Sequence, residues 1–88
     1  MVYLITYDLN KNKNYAKMYE AIKSCSIDFW HFLDSVWIIK SNLSLEIVQG
    51  TINASKDGDD WFVVTPVTRE IMGWLPQSEW DKITHLFN

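Results

Sequence analysis

Asp28-Phe29-Trp30-His31-Phe32-Leu33-Asp34-Ser35-Val36-Trp37-Ile38-Ile39-Lys40 is the stretch on which the fold turns. Phe29–Leu33 and Val36–Lys40 are both rich in aromatic and β-branched residues, which suit a pleated, half-buried surface. Asp34-Ser35 is the natural break between them, so the stretch reads as two strands of a hairpin. Its neighbours on either side change period. Upstream, Tyr15, Met18, Tyr19, Ile22 and Cys25 recur at helical spacing. Downstream, Leu45, Val48 and Ile52 do the same, with Ser44 placed to cap their helix.

Beyond the helices lie two more strands. Val2-Tyr3-Leu4-Ile5-Thr6-Tyr7 is apolar on both faces, as a central strand is, and ends at Asp8. Trp61-Phe62-Val63-Val64-Thr65 is stopped by Pro66. The order is therefore strand, helix, strand, strand, helix, strand. Two such halves with right-handed crossovers make an α+β, ferredoxin-like β-α-β-β-α-β sandwich. A third helix is expected at the end, carrying Trp80, Ile83, Leu86 and Phe87 and capped by Gln77 or Ser78. Gly73-Trp74-Leu75-Pro76 reads as a turn before it that packs its Trp. Gly50 is expected to shorten or fray the second helix, at a cost of about 1 kcal/mol relative to Ala.

The 88 residues form a single domain spanning the whole chain, 1–88. Five Trp, four Tyr and four Phe supply the bulk that so thin a core needs. They are also numerous enough that Trp30, Trp37 and Trp61 are candidates for a dimer or partner contact, where Trp is enriched. The net charge of −3, with a single Arg, weighs against tight electrostatic binding to nucleic acid. One cysteine rules out an internal disulfide. Met1–Asn10 is too short and polar for a signal peptide or membrane span, so a cytoplasmic setting without membrane contact is expected.

Tyr3-Leu4-Ile5-Thr6-Tyr7-Asp8, the segment Leu33-Asp34-Ser35-Val36-Trp37, the Leu43-Ser44 helix start and the Gly73-Trp74-Leu75-Pro76 turn carry a resemblance. Together they resemble the CRISPR-associated endonuclease-like family, whose members include the smaller universal adaptation subunit. They also resemble the related SinR-like proteins and the virulence-associated protein D ribonucleases. The resemblance implies a ferredoxin-like homodimer in which one Asp per subunit, at the end of the first strand, meets its twin near the two-fold axis. The pair shares a Mg²⁺ and cuts RNA or DNA; other members only scaffold. Asp8 matches that position and becomes the candidate catalytic and metal-binding residue. The CRISPR proteins have basic faces and a fifth strand, whereas this chain is acidic and ends in a helical pattern.

One or two carboxylates with waters and phosphate oxygens commonly hold Mg²⁺, so one Asp8 is enough only when a dimer brings two together. Asn10, Lys11 and Lys13 follow closely and are candidate nucleic-acid contacts, lysines giving sequence-blind phosphate binding. His31 reads as a hydrogen-bonded histidine on the sheet surface, Ser35 as a turn hydroxyl without a base beside it, and Cys25 as core. Asp57-Gly58-Asp59-Asp60 lacks the distal Glu of a calcium loop and reads as a solvated turn. The expected function is a homodimeric, nuclease-like protein with metal-dependent phosphodiesterase activity. The alternative is a non-catalytic module binding a protein partner, such as a phage inhibitor of bacterial defence, or a toxin–antitoxin component.

Overall fold

The computed structural model describes residues 1–9 and 15–88. Its elements run β1 (Val2–Asp8), α1 (Tyr15–Ser24), β2 (Asp28–Trp30), β3 (Val36–Lys40), α2 (Leu45–Ser55), β4 (Trp61–Pro66) and α3 (Gln77–Leu86). The four strands form one antiparallel sheet in the order β2-β3-β1-β4, the ferredoxin-like arrangement, with α3 added. β1 and β3 are the inner strands, each apolar on both faces and covered on both. The short β2 and the Pro-terminated β4 take the edges.

Alternation along the strands sends side chains into two cores. Tyr3, Ile5, Tyr7, Trp37 and Ile39 meet Met18 and Ile22 of α1 and Val48 and Ile52 of α2. On the other face, Val2, Trp30 and Ile38 meet Ile83 and Leu86 of α3. The third helix thus covers the sheet face that a bare β-α-β-β-α-β unit leaves open, lying mainly over β2 and β3 and reaching β1 at Val2.

Several expectations are corrected. β2 ends at Trp30 rather than Leu33. Side chains replace the ladder beyond it: Tyr7 Oη and His31 Nε2 both reach the Asp34 carbonyl, at 3.2 and 3.1 Å, and the Leu33 carbonyl closes a turn to the Val36 N–H. Gly50 does not fray α2, whose Val48 and Ile52 are fully buried; burying two branched side chains outweighs one glycine. Ser44 caps α2 as expected, accepting from the Ile47 N–H at 3.3 Å. Neither Gln77 nor Ser78 caps α3: Pro76 holds the cap position, and those side chains turn to Asp81 and Glu79. Trp74 is not packed; it is 98% exposed, and its neighbours Ile71 and Leu75 enter the core instead. In that extended segment side chains point alternately in and out, so only one set can be buried.

Candidate functional site

Asp8 is the last residue of β1 and is exposed. Its cross-strand partner is Trp61, and the next pair inward is Thr6 with Val63. Directly opposed residues share a sheet face, so Asp8, Trp61, Thr6 and Val63 all lie on the face that α3 covers mainly over β2 and β3. Trp61 is 72% exposed and Val63 58%. Asp8 borders a shallow depression there with Thr6, Trp61 and Val63.

Asp8 also lines a cleft at the end of β1 on the helical side, about 480 Å³ in volume, with Tyr7, Leu9, Tyr15, Tyr19, Asp34 and Ser35. The tyrosines form a chain of tilted rings, Tyr7–Tyr15 at 6.4 Å and Tyr15–Tyr19 at 6.0 Å between centroids. Tyr7 anchors the floor. Its hydroxyl accepts from Trp37 Nε1 at 3.1 Å and donates to the Asp34 carbonyl. Burial pushes its phenol well above the ordinary value of 10, against a smaller opposing pull from the Trp37 hydrogen bond. The Tyr7 hydroxyl is therefore neutral at physiological pH.

His31 lies beside the cleft rather than in a strand. Its ring stacks on Trp37 at 4.1 Å and 12°, and meets Tyr19 edge-on at 5.1 Å. A carbonyl only accepts, so the contact from His31 Nε2 to the Asp34 oxygen puts the proton on Nε2. Ser35 is exposed in the turn, and its carbonyl accepts from the Tyr7 N–H. Cys25 is buried in the first core. Asp60 is buried, not solvated: its carboxylate accepts from the Asp57 N–H at 3.1 Å and closes the acidic turn.

Trp30 and Trp37, candidates for a partner contact, are 4% and 1% exposed and belong to the chain's own two cores. Trp61 is the one of the three at the surface, joined there by Trp74. Asn10, Lys11 and Lys13 lie outside the described residues. Two buried polar residues escape a reading of the sequence. Ser41 donates to the Cys25 carbonyl and accepts from the Leu43 N–H. Glu79 accepts from Trp30 Nε1 at 3.0 Å. Both sit in segments whose pattern gives no sign of a buried partner.

Among the described residues no three metal-ligating side chains converge. One chain places two carboxylates, Asp8 and Asp34, on the cleft at the end of β1. No helix among the described residues is long and apolar enough to cross a membrane. No protein-family model matches this chain, and no curated protein or solved structure matches it.

Proposed function

We propose that the protein is a homodimer of the nuclease-like kind that its sequence resembles, with the two Asp8 side chains as paired ligands of a divalent cation that acts on nucleic acid. The observation that carries this reading is the position of Asp8 on the uncovered half of the sheet. Trp61 and Val63 stand exposed beside it, so a two-fold-related copy covering them brings a second Asp8 to the same face. Trp61, Val63, Leu33, Met72 and Trp74 are all large and exposed. Together they expose on the order of 800 Å² of largely apolar side chain, about one partner's share of a standard interface.

Two like carboxylates near one axis repel each other unless a cation sits between them, so dimerisation and metal binding reinforce each other. Bound there, Mg²⁺ would polarise a phosphodiester and lower the pKa of its water. The chain's own part is to fix Asp8 at the end of a strand paired on both sides. Incubation with single-stranded RNA and DNA in Mg²⁺ or Mn²⁺ tests this: cleavage is expected from the parent and none above background from Asp8→Ala. Equal cleavage by both, or none by the parent, overturns the catalytic reading.

The net charge of −3 favours a second reading, a binding module without catalysis, because it suits a protein partner better than a phosphate backbone. A stable heteromeric complex without metal-dependent cleavage supports that one.

A further inference from the structure

The segment between β4 and α3 carries two side chains that the fold leaves in water, Met72 at 95% and Trp74 at 98% exposure. They form part of the wall of a groove of about 210 Å³, bounded by Leu4, Leu33, Val36 and Ile38 on the sheet side and by Ile71 and Trp80 on the other. Its lining contains no charged and no hydrogen-bonding aliphatic side chain. The segment passes over the Trp80 ring at Gly73, where a Cβ would sit in ordinary contact at 3.7 Å. Trp74, almost wholly exposed, stands at the rim of the groove and does not fill it.

We infer that the occupant of this groove is Trp74 of a second copy, the two chains exchanging Trp74 side chains across a two-fold axis. This deepens the homodimer reading above and rests on it. Three observations carry it. The projecting ring and the apolar groove lie on one face of one chain, so a reciprocal contact closes as a dimer; a groove on the opposite face would propagate a fibre. The groove offers nothing to a charged or strongly polar ligand, which would lose its hydration without return, whereas an indole ring suits it. Finally, Leu33, Met72 and Trp74, all exposed, surround this groove, and Trp is enriched at interface hot spots.

Analytical ultracentrifugation of the full chain tests the inference, with Trp74→Ala and, on the groove side, Leu33→Glu. Trp74 is solvent-exposed, so its truncation leaves the fold intact, as an unchanged thermal melt and circular dichroism spectrum will verify. The parent is expected to dimerise, and each variant to weaken dimerisation by roughly thirtyfold or more, the scale of a hot spot. A dimer that persists undiminished in Trp74→Ala overturns the exchange while leaving the paired-Asp8 reading intact. A parent monomeric at high concentration overturns both. A Trp74-dependent dimer whose cleavage ignores Asp8→Ala supports the exchange and removes only the catalytic reading.

Discussion

Tyr7 is the residue that joins the core to the candidate cleft. Its ring is buried, its hydroxyl takes the Trp37 N–H, and it holds the Asp34 carbonyl that shapes the turn beside Asp8. Tyr7→Phe leaves a buried Trp N–H without an acceptor, so it should cost about 1–3 kcal/mol in urea unfolding at neutral pH. The pH dependence has a defined sign. The phenol titrates higher in the folded chain than its ordinary value of 10, so its contribution is complete below that pH and is lost as pH rises beyond it. The parent should therefore lose stability between about pH 9 and 11 more steeply than Tyr7→Phe, as melts across that range will show. None of this was legible in the sequence, where Tyr7 is one more β-strand aromatic; only the distant Trp37 and Asp34 give it a role. Asp8 was legible, because the end of a strand can be read from local pattern.

At the scale of elements, α3 shows most clearly what local pattern leaves open. Trp80, Ile83, Leu86 and Phe87 mark a helix in the sequence, and α3 forms there. Where it docks is set by the Trp30–Glu79 hydrogen bond and the Val2, Ile38, Ile83 and Leu86 cluster. Glu79 lies in the first turn, where its charge complements the helix dipole. Lys82, 3.5 Å away, offsets part of the cost of burying it. Glu79→Ala strands a buried indole N–H and should destabilise the chain by about 1–3 kcal/mol, whereas Glu79→Gln, which keeps an acceptor oxygen, should cost less; chemical denaturation of both variants checks the order. The hairpin makes the same point in reverse. Both arms were readable from their composition, but the early end of β2 follows from side-chain bonds to one carbonyl, between residues 27 positions apart in the case of Tyr7.

For the whole molecule, the governing contrast is between a chain of net charge −3 and an uncovered apolar half-face. Association through that face runs against like-charge repulsion, so added salt should tighten it. Sedimentation at about 0.05 and 0.5 M salt checks this: a dimer that weakens with salt would be held by charge instead. By itself the sequence determined the element order, the ferredoxin-like class, the Ser44 cap and the placement of Asp8 at a strand end. Each of these depends on residues within a few positions of one another, where periodicity and capping chemistry act. Tertiary structure decided which tryptophans are buried, which half of the sheet stays open and which polar groups are paired inside. Trp30 and Trp74 look alike as letters in a chain. One is enclosed and the other stands in water because burial depends on what an extended segment meets across the sheet, and neighbours in sequence do not encode that.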